Sequence, residues 1–305
     1  MSTVIPRSDF ARDILHVYAV ITWASVGIAL VVLVALGWIL VRFRDRPGAP
    51  LPAQTRGHTL LELAWTVAPA LVLLVIAIPT IQVIFRTQAV PPPQALEVTV
   101  LARQWWWEFR YPALGIGTAN ELHLPAGRPV VLRLEGPDVI HSFWVPQLGG
   151  KRDVVPGRLN RLTFTAETPG EYWGQCAEFC GVSHAHMGLR VVVDAPEAFA
   201  RWVSAQRATP AEPAGRAAEG KALYTRSACV GCHTIRGVSA GVLGPDLTTF
   251  GSRRTLAAGM FPNTVENVAA WLRNPPALKP GVKMPALGLT DAQARALATY
   301  LVSLK

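Results

Sequence analysis

A chain of 305 residues has room for two or three domains, and one that is 50% hydrophobic with positive mean hydropathy is too apolar to be soluble throughout. A formal net charge of +9 excludes a uniformly acidic protein. The four cysteines fall into two tight pairs near histidines, Cys176 with Cys180 and Cys229 with Cys232, which speaks for cofactor sites and against a disulfide framework.

In chain order, the first predicted element is a membrane hairpin over residues 1–89, with spans at 15–41 and 63–85. No Asp, Glu, Lys or Arg occurs from Ile14 to Val41, a run longer than the roughly 20 residues that cross a bilayer. A second uncharged run goes from Leu63 to Phe85 and contains Pro69 and Pro79, which neighbouring helices accommodate in a membrane. The first run is too long for a cleaved signal peptide, and no small-residue cleavage site follows it. The connecting loop carries Arg42, Arg44, Arg46 and Arg56 against Asp45 alone. The cytoplasmic bias of basic residues puts that loop inside, with both termini and everything after Phe85 periplasmic or extracellular. Glu62 opens the second span; a carboxylate there either snorkels at the interface or marks a point of proton uptake.

A proline-rich linker, Val90 to Pro93, precedes a change of pattern. Strands are predicted at Leu96–Ala102, Trp105–Tyr111, Glu121–Leu124, Pro129–Leu134, Val139–Val145, Arg158–Thr165, Glu171–Gln175 and Leu189–Val193, and a closing helix at Pro196–Gln206. Evenly spaced short strands predict a β-sandwich or barrel over residues 90–207. In Gln104-Trp105-Trp106-Trp107 the alternation puts Trp105 and Trp107 on one face and Trp106 on the other. At least one belongs to a core; an exposed one near a metal site would anchor a docking partner.

Between the last two strands runs Cys176-Ala-Glu-Phe-Cys180-Gly-Val-Ser-His184-Ala-His186-Met187. Thiolate, imidazole and thioether form the soft donor set that suits copper in electron transfer. Two cysteines on one loop can bridge two copper ions, with His184 and, from an earlier strand, His141 as the terminal imidazoles. A disulfide and a zinc site use the same residues, but neither accounts for Met187. His186 is read as a surface or supporting residue.

A second Ala-, Pro- and Glu-rich linker lies within Thr209–Gly220, its core at 208–214, and a last domain is expected at 215–305. Lys221 to Ser227 begins a helix running into Cys229-Val-Gly-Cys232-His233, the attachment signature of c-type haem. His233 is one axial ligand; Met284 is the candidate for the other, with Met260 competing, and methionine opposite histidine raises the haem potential. Gly244-Pro245-Asp246-Leu247 would wrap the histidine side. Helices at Asn263–Arg273 and Thr290–Ser303 make this a small all-α domain. Its residues 215–305 hold eleven Lys and Arg against four Asp and Glu, net +7; residues 90–204 hold ten against eleven, net −1. The basic domain would steer an acidic or neutral donor, or sit over anionic headgroups.

Together these motifs resemble subunit II of the haem–copper cytochrome c oxidases, in the form with a cytochrome c domain fused at the C-terminus. The resemblance covers essentially the whole chain. It rests on Glu62-x-x-Trp65-Thr66, Gln104-Trp105-Trp106-Trp107, Asp138-Val-Ile-His141-Ser-Phe, Gly149-Gly150-Lys151-x-Asp153-x-x-Pro156-Gly157-Arg158 and the cysteine loop. It implies a multidomain membrane protein: a two-helix transmembrane hairpin, a cupredoxin-like β-sandwich or barrel, and an all-α class I cytochrome c domain. It further implies a dinuclear CuA centre bridged by Cys176 and Cys180. His141 and His184 would be terminal ligands, and Met187 and the backbone carbonyl of Glu178 weak ones. The Glu178 carboxylate would help hold magnesium at the interface with subunit I, Trp105 would be the electron-input tryptophan, and Glu62 would lie at a proton-channel mouth. Trp106 departs from the family, which usually has tyrosine there.

The implied function is electron input to a respiratory terminal oxidase of the bacterial inner membrane. A periplasmic donor such as a cytochrome c would reduce a covalent haem c held by Cys229, Cys232, His233 and Met284. Electrons would pass to CuA and on to subunit I, where oxygen is reduced to water with proton translocation. No catalytic residue for oxygen lies in this chain. The expected partners are subunit I, subunit III, the donor and membrane lipid, with no nucleic acid. The alternatives are the input subunit of a CuA-containing nitric oxide reductase, a membrane-anchored electron carrier, and a copper-delivery protein.

Overall fold

The computed structural model describes residues 2–48, 50, 54 and 56–305, which divide into two compact units: residues up to 11 together with 90–305, and residues 12–89. Helices α1 (Asp9–Arg42) and α2 (Thr59–Thr87) cover both predicted spans and run beyond them. At 1.5 Å per residue they are about 51 Å and 44 Å long, more than a hydrocarbon core of about 30 Å needs. Both are long and apolar enough to cross a membrane. Their apolar side chains are exposed all round, from Trp23 and Leu33 to Leu73 and Phe85, so lipid or protein must cover them. Pro69 and Pro79 stand inside α2. The His58 ring accepts from the Leu61 N–H at its start, and Arg86 near its end pairs with Asp13 of α1 at 2.9 Å.

Two five-stranded sheets form the β region. One has the order β3 (Ile116–Ala119), β2 (Trp106–Tyr111), β1 (Leu96–Arg103), β5 (Pro129–Glu135), β8 (Asn160–Thr165). The other runs β4 (Glu121–Pro125), β10 (Gly188–Asp194), β9 (Gly170–Cys176), β6 (His141–Trp144), β7 (Arg152–Val154). β1 pairs parallel with β5 and β10 parallel with β4; the other ladders are antiparallel. On β1 the alternation Leu96, Val98, Val100, Ala102 buries one face. These residues meet Trp107, Phe109, Leu132, Phe143, Leu189 and Val191 in one core, the layered arrangement of a sandwich. The start of the chain is stitched to this unit. The Ser8 hydroxyl donates to Leu148 O at 2.7 Å, and the Thr165 N–H donates to the Asp9 carboxylate at 2.7 Å.

β3 and β7 are not foreseen by the sequence pattern. Both are short edge strands, Ile-Gly-Thr-Ala and Arg-Asp-Val, too short for alternation to register. Val139 and Ile140 lie outside β6 and are exposed. Helix α3 (Pro196–Arg207) closes the unit, with the Trp202 ring stacked on His123 at 4.4 Å.

The C-terminal region packs α4 (Arg216–Thr225) and α6 (Val265–Arg273) on α8 (Asp291–Ser303) around Tyr224, Val268, Leu272, Leu297 and Leu301. Helix α4 begins inside the predicted Thr209–Gly220 linker, because Ala217 and Gly220 are buried. The short helices α5 (Cys229–Cys232) and α7 (Pro275–Leu278) carry the haem signature and the segment before Met284. Two two-stranded ladders, Thr234–Ile235 with Ser239–Ala240 and Thr255–Leu256 with Phe261–Pro262, add to the all-α reading. Thr290 and Gln293 close a capping box on α8.

Candidate functional site

The metal-binding geometry follows from strand pairing. β9 ends at Cys176 and β10 begins at Gly188, so the cysteine loop spans one end of the sheet. β6 pairs with β9 through Phe143 and Cys176, which brings His141 beside the loop. His141, Cys176 and Cys180, all buried, have ligand atoms within 4.8 Å of one another. Cys176 Sγ lies 3.8 Å from His141 Nδ1, 3.8 Å from Cys180 Sγ and 3.3 Å from the Glu178 carbonyl oxygen. Cys180 Sγ lies 3.5 Å from His184 Nδ1 and 3.9 Å from Met187 Sδ. All six sequence-predicted groups therefore converge, and the fully buried Met187 is the thioether that a disulfide or zinc reading leaves without a role. His186 is exposed and takes no part through its ring. A Cys180 S–H donated to Cys176, and then the His141 ring, hold the Cys176 thiol well below its usual range against the effect of burial. The same partnership pushes Cys180 up.

Asp138 fixes the His141 tautomer. Its Oδ1 takes the Nε2 proton at 2.8 Å, leaving Nδ1 facing the sulfurs. Although burial works the other way, hydrogen bonds from His141 and from the Gln104 and Val139 N–H groups keep the Asp138 carboxyl below its usual range. Asp138→Ala is expected to weaken copper binding about 10–100-fold, measured by competition against a chelator of known affinity; unchanged affinity would show that His141 needs no orienting partner.

Trp105 and Trp107 are buried on one side of the turn and Trp106 is half-buried, with the Arg103 guanidinium over its ring at 5.8 Å. Trp107 meets the His141 and Phe143 rings edge-on. Trp105 precedes β2 and is only 6% exposed, so it offers no open surface to an outside partner. Its indole N–H donates to Cys180 O at 2.9 Å, and the Gln104 amide donates to the same oxygen at 2.7 Å. A Cβ on Gly181 would stand 3.0 Å from one part of the Trp105 ring, and one on Gly281 would stand 2.8 Å from another. The ring is thus held between the cysteine loop and the C-terminal region of the same chain.

In the haem signature, α5 puts Cys229 and Cys232 on one helical turn and leaves His233 extended beyond it. The His233 Nδ1–H donates to Pro245 O at 2.8 Å, which aims Nε2 the other way; burial lowers its pKa, favouring the neutral ring a metal needs. Gly244 lies flat under that ring, where a Cβ would come 2.5 Å from Cε1. Met284 is half-buried on the same core as Cys229 and Val230. Val242 and Leu243, immediately before Gly244 in sequence, are exposed apolar residues. Glu62 lies in the first turn of α2, with its carboxylate folded back over Gly57.

The sequence reading missed the residues joining the two soluble regions. Glu121 is buried, and its Oε1 accepts the N–H groups of Arg254 and Thr255 at 2.7 and 3.1 Å. Arg236 donates to the last carbonyls of α3, including Arg207 O at 2.6 Å. Lys279, also buried, reaches across to Trp105 O at 2.7 Å. No spacing signal marks any of them.

Comparison with known proteins matches three stretches of the chain. Residues 7–83 match the family "Cytochrome C oxidase subunit II, transmembrane domain", residues 113–195 match "Cytochrome C oxidase subunit II, periplasmic domain", and residues 217–305 match "Cytochrome c". The chain is 37% identical to cytochrome c oxidase subunit 2 of Alkalihalophilus pseudofirmus over 98% of its own length and 89% of that protein's. It is 35% identical to cytochrome c oxidase subunit 2 of Bacillus subtilis over 100% of its own length and 92% of that protein's. The crystal structure of the periplasmic domain of subunit II of cytochrome oxidase of Bradyrhizobium japonicum is 31% identical, covering 39% of this chain and 97% of that one at a TM-score of 0.37. On this similarity, which spans membrane helices, β domain and haem signature alike, the chain belongs to the cytochrome c oxidase subunit 2 family, with a cytochrome c domain at its C-terminus.

Proposed function

We propose that this chain is the electron-input subunit of a terminal oxidase in a bacterial inner membrane, delivering electrons to subunit I for reduction of oxygen coupled to proton translocation. The reading divides it into a hairpin at 1–89, a copper domain at 90–207, a short linker at 208–214 and a haem domain at 215–305. Both termini and both soluble domains lie on the periplasmic side. When bound, a dinuclear CuA centre and a covalent haem c would supply one-electron redox chemistry.

The residues fit those groups. Cys176, Cys180, His141 and Met187 offer buried donors, with the half-buried His184 and the Glu178 carbonyl at the edge of the same cluster. Water is kept from it by Trp107 and Phe143, both buried. Cys229 and Cys232 would hold the haem, His233 and Met284 its iron. Trp105 touches the copper loop through Cys180 O and would carry electrons across. The Glu178 carboxylate is assigned to a magnesium ion shared with subunit I, and Glu62 to the mouth of a proton channel. Because Trp105 is covered by the chain's own residues, the periplasmic donor docks on the haem domain. Subunit III and membrane lipid complete the contacts.

The observation that carries this reading is the convergence of two thiols, two imidazoles and a thioether at one end of a rigid sheet. Metal analysis, absorption and EPR of the purified full-length chain test it. A low-spin haem c together with one unpaired electron spread over two copper nuclei is expected; zinc, or a lone copper beside a full complement of haem, overturns it. Turnover with oxygen and with nitric oxide, on the complex that co-purifies, separates oxidase from reductase.

A further inference from the structure

Lys279 caps α7, and its side chain is 2% exposed. Its ammonium donates to three carbonyl oxygens: Trp105 at 2.7 Å, His186 at 2.8 Å and Ala257 at 3.2 Å. Those oxygens belong to three separate segments. One is the turn before β2, one the cysteine loop just ahead of Met187, and one the turn that follows Thr255–Leu256 in the C-terminal region. An ammonium has three donors, so all three are satisfied at once, and only when the three segments are assembled in this register. A buried cation facing dipoles rather than a carboxylate is expensive to desolvate, and burial pushes its pKa down to about 7. Such a group adds little net strength to a contact. It selects one arrangement over its slipped alternatives.

The next two residues use that register. Pro280 O accepts the Ser183 hydroxyl of the cysteine loop at 2.6 Å. Gly281, at φ +76, lies against Trp105 and Val182, where a Cβ would come within 2.8 and 2.7 Å. Nearby, the Gly188 N–H donates to Ala258 O at 3.1 Å, and Glu121 takes the Arg254 and Thr255 N–H groups.

We propose that Lys279 is a positioning residue that fixes the register of the haem domain on the copper loop and so holds the Gly281 backbone against the Trp105 ring. The part concerning electron transfer rests on the proposed redox function; the register does not. Lys279→Met keeps the length of the side chain and removes all three donors. In the full-length chain, amide hydrogen exchange at Gly188, Arg254 and Thr255 should quicken about tenfold or more, while Val98 and Val100 in β1 keep wild-type rates. In the same preparation, electron transfer from haem to copper should slow while both reduction potentials stay in place. A milder quickening is expected for Ser183→Ala, which removes a single tie and cannot unfold the core. Wild-type exchange at all three amides in both variants overturns the register. Faster exchange with an unchanged electron-transfer rate and unchanged potentials overturns the positioning role. Absence of haem or of paired copper in the wild-type chain defeats the redox reading alone, since the exchange data still decide the register.

Discussion

On the proposed reading, Cys180→Ser is expected to remove the dinuclear copper and with it electron delivery inward. Cys180 is the hub of the site: its sulfur stands within 4 Å of Cys176 Sγ, His184 Nδ1 and Met187 Sδ. Serine nearly preserves the volume of this buried position, so packing survives, but it exchanges a soft donor for a hard, neutral one that copper in this role does not favour. Cys176 keeps His141 and the Glu178 carbonyl and can still hold a single ion. Copper content should halve or vanish, and electron transfer to subunit I should fall by more than about 100-fold, beyond the 10–100-fold typical of losing an outer partner such as Asp138. Haem content, which on the proposed reading depends on Cys229 and Cys232, should not change. A serine variant with undiminished copper and the hyperfine pattern of a shared electron would rule out Cys180 as a bridge.

The parts of this site that were legible in the sequence are those whose chemistry fixes local spacing. Cys176 to Met187 is one loop, and Cys229 to His233 is one turn, so the donors had to be near one another whatever the fold. His141 was legible as the histidine of Asp138-Val-Ile-His141-Ser-Phe on a predicted earlier strand, and the β6–β9 pairing delivers it to the loop. What was hidden depends on contacts between distant segments. Lys279 and Trp105 are 174 residues apart. Lys279 sits with Lys283 in a Pro-rich stretch, where a lysine reads as a solvated charge. The same holds for the three tryptophans: alternation could not say which is covered, and the C-terminal region packed on Trp105 decides it. Glu121 read as part of an ordinary strand, yet its carboxylate receives two backbone N–H groups from the opposite region. Helix α4 was partly read as linker because Ala, Glu and Gly suit both states, and only the surface of α8 decides between them.

That last contact gives the second large effect. Gly220→Ala should destabilise the haem domain severely, although alanine in a helix interior is ordinarily worth about 1 kcal/mol over glycine. A Cβ at Gly220 would stand 2.2 Å from Ala296 O and 2.7 Å from Tyr300 Cβ on α8. The carbonyl belongs to a hydrogen-bonded helix and cannot rotate away, so the two helices must separate. Separation opens the core formed by Tyr224, Leu297, Tyr300 and Leu301, where the two tyrosine rings meet at 5.8 Å. Ordinary overpacking costs about 1–3 kcal/mol, and a clash against backbone belongs at the top of that range. After the gain in propensity, about 2 kcal/mol is lost from a domain whose whole stability is about 5–15 kcal/mol. The melting temperature should drop by roughly 10 °C. Thermal unfolding of the full-length chain, followed through the haem absorbance, measures this, and Gly220→Val should melt lower still. If Gly220→Ala instead melts at or above the wild-type temperature, α4 does not lie in backbone contact with α8, and the haem domain's core must be assembled in another way.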